Sequence, residues 1–338
     1  MPYQVTILPS GHQLLVADNE SVLDAALREQ GSVLPYGCRN GTCGSCMATI
    51  QSGQVNYSEG RPPGLSEREQ AEGKALLCQA RPRSDLVIVA REVKTSGDLV
   101  VKTLPCRVEH RELLAPDVMR LFLKLPNTER LQFLAGHYID ILLADGRRRS
   151  FSLANPPHAD ELLELHIRQV PGGFFTDYLF NRMKDKALLR FQGPLGTFAL
   201  REESPRPILL IGGGTGFAPL KGMLEHAFHI GLDRPLHLYW GARAKVDLYL
   251  DALPRRWLAE HANFRYTPVL SEPHPEDQWL GRTGWVHEAV VTDYPELRGY
   301  DVYMSGPPPM IAAAKPVFAD RGLPAEQLFY DSFEFAPR

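Results

Sequence analysis

The chain has 338 residues, of which 44% are hydrophobic and 23% charged, with 37 basic and 40 acidic side chains and a formal net charge of −3. That length implies two or three domains, and the near-balanced charge excludes a basic nucleic-acid binder. The opening residues, Met1-Pro-Tyr-Gln-Val-Thr-Ile-Leu-Pro9, hold no basic region followed by an apolar stretch, so no signal peptide is expected, and no run reaches the length of a membrane span.

In chain order, Val5–Leu8 and Gln13–Val16 flank Pro9-Ser10-Gly11 as a hairpin. Ser21 caps a helix with Leu23, Ala26 and Leu27 on one face, ended by Gly31. Cys38, Cys43 and Cys46 follow in one tight loop, then a strand at Met47–Ile50, then Cys78, then a last strand near Leu86–Ala90. Four and then two residues separate the first three cysteines, which is the plant-type ferredoxin spacing for a [2Fe-2S] cluster. Gly37, Gly41 and Gly44 let so short a loop bend around one object and turn peptide N–H groups toward it. Zinc, a disulfide or buried thiols are the other readings, but zinc usually draws on two C-x-x-C knuckles and here the fourth cysteine stands alone. Cys106 is left over, at the start of an apolar strand pattern, and is expected to be a buried inert thiol.

A mixed-polarity stretch with no apolar period marks a linker at 93–103. Residues 104–203 then read mainly as strand. His137–Ala144 and Arg147–Ala154 alternate about an Asp145-Gly146 turn. Leu162–Val170 is a further strand, and a helix is expected to open at Thr176 and run through Met183. From 204 to 338 the rhythm becomes strand, glycine loop and helix. Ile208–Ile211 runs into Gly212-Gly213-Gly214-Thr215-Gly216, and later strands fall at Leu236–Trp240, Arg265–Leu270 and Asp301–Met304. A glycine loop between a buried strand and a helix suits a phosphate-bearing ligand. It is not a full G-x-G-x-x-G, because Phe217 occupies the third glycine position, and a tight turn with no ligand is the plainer reading.

With Tyr239-Trp-Gly-Ala-Arg243 and Tyr303-Met-Ser-Gly-Pro-Pro-Pro-Met310, the glycine loop resembles the nicotinamide-nucleotide domain of the ferredoxin–NAD(P) reductase superfamily. The resemblance implies that Gly212, Gly213, Gly214 and Gly216 hold the dinucleotide's pyrophosphate and that Thr215 lies by the nicotinamide. It puts Arg243 at the adenosine ribose, with Ser305, Gly306 and Pro307 flanking the nicotinamide. Ser305 departs from the family's usual cysteine. Arg149-Ser-Phe-Ser152 resembles the family's flavin motif, so that Arg149 would pair with flavin phosphates, Phe151 (usually tyrosine) pack on the isoalloxazine and Ser152 bond near its hydride-accepting nitrogen. Alone, Arg147–Arg149 would read as a solvated edge-strand charge run. Gly173 and Thr176 match a second pyrophosphate element. His166 and Arg168 would line the adenosine side, and Gly193–Phe198 would form the turn that closes the domain. FAD is favoured over FMN. A carboxy-terminal aromatic, Tyr330 or Phe333, either covers the flavin or packs as ordinary core.

The resemblance implies an α+β and α/β multidomain protein: a β-grasp [2Fe-2S] domain over 1–92, a linker at 93–103, a six-stranded antiparallel FAD-binding barrel over 104–203 and a parallel-sheet nicotinamide-nucleotide domain over 204–338. Its catalytic set is Ser152, Thr215 and Ser305, and its iron ligands are Cys38, Cys43, Cys46 and Cys78. Hydride passes from NADH, with NADPH the alternative, to FAD. Single electrons then leave through the cluster to an acceptor protein. Ala135–Asp140, Arg148–Asn155 and Tyr239–Gly241 are similar to the CDP-6-deoxy-glucoseen reductases, which points to a pyridoxamine-phosphate (PMP)-dependent sugar dehydrase as acceptor. The runner-up is the reductase component of a bacterial aromatic or alkene oxygenase. A non-catalytic redox sensor and a standalone flavin or quinone reductase are the other classes. Four cysteines on a cluster leave none for a disulfide framework, so a cytoplasmic protein with no membrane or nucleic-acid partner is expected.

Overall fold

The structure is a computed structural model and describes residues 2–29, 34–90, 92 and 99–334. The expected helix end at Gly31 and most of the expected linker, 93–98, lie outside the described residues. The chain divides into two compact units, one built on residues up to Val101 and the other spanning Lys102–Phe333.

The first unit is a mixed five-stranded sheet in the order His12–Val16, Tyr3–Leu8, Leu86–Val89, Met47–Ser52, Lys74–Leu76. Tyr3–Leu8 lies between its neighbours, antiparallel to His12–Val16 and parallel to Leu86–Val89, the β-grasp arrangement. Val22–Arg28 is the helix laid on this sheet, with Val22, Leu23, Ala25 and Ala26 buried. Ser21 Oγ accepts from the Asp24 N–H at 3.1 Å and so supplies the cap. A second, shorter helix, Glu67–Ala71, has no apolar face to betray it in the sequence. A reciprocal capping box between Ser66 and Glu69 starts it.

In the second unit, six antiparallel strands run in the order Arg148–Ser152, Tyr138–Leu142, Leu188–Leu195, Lys102–Ala115, Val118–Lys124, Leu163–Arg168. A Leu153–Leu165 bridge joins the two ends and closes the sheet into a barrel. Its interior is filled by Val108, Leu121, Ile139, Ile141, Leu165 and Phe191, and the helix Phe174–Asn181 plugs it with Phe175 and Leu179. Three boundaries differ from expectation. Lys102 and Thr103 are already strand. The helix begins two residues before Thr176, because Gly173 is its cap position and offers no side-chain signal. Gly193-Pro194-Leu195 ends a strand rather than forming a turn. Cys106 points into the barrel, and burial pushes its thiol up to about 12, so it is inert at neutral pH.

A six-stranded all-parallel sheet follows in the order Arg282–Thr283, Phe264–Leu270, Leu236–Ala242, Ile208–Gly213, Asp301–Gly306, Leu328–Ser332. Helices Phe217–His229 and Ala252–Glu260 cover one face around Leu220, Leu224 and Trp257. Val286–Asp293 and Pro308–Asp320 cover the other around Val290, Ala314 and Phe318. Strand order reverses at Ile208–Gly213, and the crevice beyond the carboxyl ends of strands at such a point is where ligands enter an open parallel sheet. No helix among the described residues is long and apolar enough to cross a membrane.

Candidate functional site

The cysteine loop turns on Gly41 and Gly44, both in the left-handed region at φ 82° and 79°. Cys46 and Cys78 are buried and Cys38 and Cys43 partly so. The Cys43 N–H lies 3.4 Å from Cys38 Sγ, and the Ser45 N–H lies 3.5 Å from Cys43 Sγ. Thr42 Oγ1 adds a contact to Cys38 Sγ at 3.4 Å. Among the described residues no three His, Cys, Asp or Glu side chains converge on one ion position. Cys38 and Cys43 act on each other electrostatically, as do Cys46 and Cys78. In each pair the hydrogen bond from one thiol holds the other down, Cys38 to about 5, while the donors Cys43 and Cys78 are pushed up. Four cysteine sulfurs, three from one glycine-turned loop, fit the thiolate set of a [2Fe-2S] cluster.

On the barrel, the Asp145-Gly146 turn brings Arg148–Ser152 back along Tyr138–Leu142. Three arginines follow the turn and only two are neutralised. Arg147 pairs with Asp145, and Arg148 bonds Gln192 and lies 4.0 Å from Asp140. Arg149 has no ion pair among the described residues, and its guanidinium donates to the Arg148 carbonyl. Burial and the neighbouring Arg147 charge lower its pKa, so this cation lacks a counter-charge that a flavin diphosphate supplies. Phe151 packs against Phe175 at 5.5 Å between ring centres. Ser152 is buried and its hydroxyl donates to Asp331 Oδ2 at 2.8 Å. Gly173 tolerates no side chain, since a Cβ would stand 2.6 Å from Thr176 Oγ1. The Thr176 hydroxyl itself is committed to the Val170 and Gly173 carbonyls. It fastens the turn, and the peptide N–H groups at the helix start are what face outward for an anion.

The glycine segment is divided differently from the sequence expectation. Gly212 and Gly213 belong to the strand, and only Gly214–Gly216 form the turn. A Cβ on Gly216 would lie 2.0 Å from the Ser305 carbonyl oxygen, so the turn and the Asp301–Gly306 strand touch backbone to backbone. Phe217 replaces the third glycine without filling the crevice, because its ring stacks on Trp240 at 4.1 Å, and Trp240 Nε1 donates to the Gly214 carbonyl at 2.9 Å. Thr215 is buried beside this contact. Ser305 is fully buried, and its hydroxyl has no partner among the described residues. An unsatisfied hydroxyl is costly in a protein interior, and one at the mouth of a ligand crevice fits a polar ligand group such as a carboxamide. Ser305 is also the register neighbour of Asp331. Ser152, Asp331 and Ser305 thus meet at one place, with Gly306 and Pro307 directly after.

Two residues expected on the adenosine side of the cofactor have their polar groups in protein contacts. The His166 ring is buried with both nitrogens engaged: Nε2 lies 2.8 Å from Glu164 Oε1 and Nδ1 lies 3.0 Å from the Tyr249 hydroxyl. Arg168 reaches Asp247 at 3.2 Å and Asp117 at 3.5 Å, and stands beside Gly214. Alternation along a strand explains both, since Leu163, Leu165 and Ile167 fill the barrel and the residues between them point away. Arg243 is exposed, 3.9 Å from the same Asp247. Tyr330 is held by Lys315 through both hydroxyl and ring, and Phe329, not Phe333, stacks on Tyr303. His137 is buried, and burial lowers it to about 4.

Three family models match in succession: the 2Fe-2S iron-sulfur cluster binding domain over residues 5–83, the oxidoreductase FAD-binding domain over 105–200 and the oxidoreductase NAD-binding domain over 210–316. The CDP-6-deoxy-L-threo-D-glycero-4-hexulose-3-dehydrase reductase of Yersinia pestis is 38% identical over 333 residues, covering 98% of this chain and 99% of that protein. The chain belongs to the iron-sulfur flavoprotein reductases. As a member, this reductase is an NAD(P)H oxidoreductase with [2Fe-2S], FAD and nicotinamide-nucleotide domains. The reductase component of phenol 2-monooxygenase from Pseudomonas sp. (strain CF600) is 35% identical over 339 residues, covering 98% of this reductase and 95% of that protein. The crystal structure of an Amycolatopsis cytochrome P450 reductase matches with a TM-score of 0.81 at 34% identity, over 98% of each chain.

Sequence reasoning missed Asp331, Glu164, Lys221, Tyr249 and Asp247. Their partners lie far along the chain, as in the 179 positions between Ser152 and Asp331. No local spacing announces such bonds.

Proposed function

We propose that this reductase takes hydride from NADH and delivers single electrons, by way of a cluster on Cys38, Cys43, Cys46 and Cys78, to a PMP-dependent sugar dehydrase. The observation that carries the acceptor is full-length similarity to dehydrase reductases, 38% over 98% of the chain. When bound, FAD supplies the step between a two-electron donor and a one-electron acceptor. The residues supply geometry. Arg149 takes the flavin diphosphate, with the N–H groups beside Gly173 and Thr176. Phe151 packs on the ring system, and Ser152, its proton held by Asp331, presents its hydroxyl oxygen as an acceptor to the ring's reacting edge. The strand end at Gly212 and Gly213 and the turn Gly214-Thr215-Gly216 receive the nicotinamide dinucleotide. Ser305, Gly306 and Pro307 border the nicotinamide and Arg243 the ribose.

Asp247 supports NADH, since its carboxylate partly neutralises Arg243 and repels a 2′-phosphate. Comparing kcat/KM for NADH and NADPH tests this, and a strong NADPH preference overturns it. A second reading has a specific support of its own. The phenol 2-monooxygenase component is 35% identical over 98% of the chain, which makes an oxygenase hydroxylase the alternative acceptor. Reconstituting the loaded reductase with NADH and either a CDP-4-keto-6-deoxyglucose dehydrase or a phenol hydroxylase decides between them, the proposal requiring faster turnover with the dehydrase. Rapid flavin reduction by NADH in a stopped-flow trace would exclude a non-catalytic sensor. Five cysteines with no disulfide among them support a cytoplasmic setting.

A further inference from the structure

The outward face of the barrel's last strand, Leu163–Arg168, carries Glu164, His166 and Arg168 at every second position, and each reaches a different group of the nucleotide half. Glu164 Oε2 receives Lys221 Nζ at 3.0 Å, His166 Nδ1 meets the Tyr249 hydroxyl at 3.0 Å, and Arg168 meets Asp247 at 3.2 Å. Lys221 also donates to the Ala154 carbonyl at 3.1 Å, two residues beyond Ser152, and to Glu225 at 2.9 Å. Arg120 closes the set on Glu164 at 2.8 Å. Glu164, His166 and Lys221 are almost completely buried.

This placement is costly. Burying an ammonium and a carboxylate rarely gains stability over an apolar pair of similar size, but it does enforce one arrangement, because any slippage leaves a charge unpaired. The seam also runs next to the reacting parts. Lys221 is on the helix that begins directly after Gly216, Ala154 follows Ser152, and a Cβ on Gly222 would stand 3.0 Å from the Asn155 carbonyl oxygen. The helix is thereby clamped to the loop that leaves the flavin strand.

We propose that Glu164, His166, Arg168, Lys221 and Tyr249 are positioning residues that fix the register between the barrel and the nucleotide half, and that this register sets the rate of hydride transfer. The inference rests on Ser152 and Thr215 lying on the two sides of the hydride cleft, and is independent of the acceptor protein. Slippage across the seam changes the distance and angle between donor and acceptor rings while leaving each half's own ligand contacts in place. The step lost is therefore the chemical one, not binding.

The test uses the FAD- and cluster-loaded reductase with Lys221→Met, Lys221→Arg, Tyr249→Phe and Ser152→Ala. For Lys221→Met the limiting rate of flavin reduction should fall at least about tenfold while the NADH dissociation constant stays within about threefold. The long-wavelength charge-transfer absorbance of stacked nicotinamide and flavin should weaken in parallel, and Lys221→Arg should restore both in part. Tyr249→Phe, which removes one hydroxyl, should give a smaller loss of the same kind and serves if Lys221→Met does not fold. Folded variants with wild-type limiting rate and charge-transfer band overturn the inference. If Ser152→Ala also leaves reduction unchanged, the cleft reading fails as well; if Ser152→Ala slows it and the seam variants do not, the seam alone is refuted.

Discussion

Ser152 makes one short bond to a carboxylate, and most of its role follows from that. The Asp331 bond takes the hydroxyl's proton and fixes the oxygen's direction at 2.8 Å, so Ser152→Ala removes an oriented acceptor without changing the strand. A charge-assisted hydrogen bond is worth about 1.5–3 kcal/mol, and flavin reduction by NADH is expected to slow about ten- to a hundredfold in stopped-flow traces. His137 yields a prediction of a different kind. Burial lowers it from 6.5 to about 4, so between those values the unfolded chain binds the extra proton and the folded one does not. Its contribution is complete above pH 6.5 and is lost as pH falls toward 4, by about 3 kcal/mol from this group. His237 adds a loss in the same window and direction, again with burial as the main cause. Denaturation midpoints measured from pH 7 to pH 4 should fall, and His137→Gln, whose amide oxygen can take over the acceptor role toward the Leu134 N–H, should flatten the slope.

Among the elements, the glycine turn is governed by contact with its neighbour strand. A methyl group on Gly216 meets the Ser305 carbonyl at 2.0 Å, which is backbone and cannot swing aside. On Gly213 it meets the Met310 sulfur at 2.6 Å and the Pro307 ring at 2.8 Å, of which the thioether can move. Gly216→Ala is therefore expected to cost more than about 3 kcal/mol and Gly213→Ala about 1–3 kcal/mol, read from urea denaturation of the loaded protein. The strand–glycine–helix order of this element was legible because a buried apolar run stops where small residues start. Its exact division was not, since Gly212 and Gly213 carry no side chain to say whether they extend a strand. The Asp145-Gly146 hairpin and the Ser21 cap were legible for the opposite reason, as each is a local bond or a positive φ that a specific residue type supplies. Glu67–Ala71 escaped because it has no apolar stripe, and the true start of Phe174–Asn181 escaped because its cap residue, Gly173, offers no side-chain signal.

For the whole molecule, the cysteine spacing announced one cofactor and the flavin and nicotinamide motifs two more, so the overall assembly was readable. What stayed hidden is how the barrel and the nucleotide sheet are fastened, because Glu164, Lys221, Tyr249 and Asp331 find their partners only in three dimensions. The proposed exit of electrons through the first unit has a clean test. Cys43→Ser is expected to leave flavin reduction by NADH intact and to abolish cytochrome c reduction; persistence of the latter at full rate would take the cluster off the main route. A last consequence concerns synthesis. The barrel's strands, through Leu195, are made before the sheet strand bearing Asp331, so a barrel that folds during translation would for a time hold Ser152 untethered. Pulse-labelled nascent chains should therefore capture the dye early and become reducible only late.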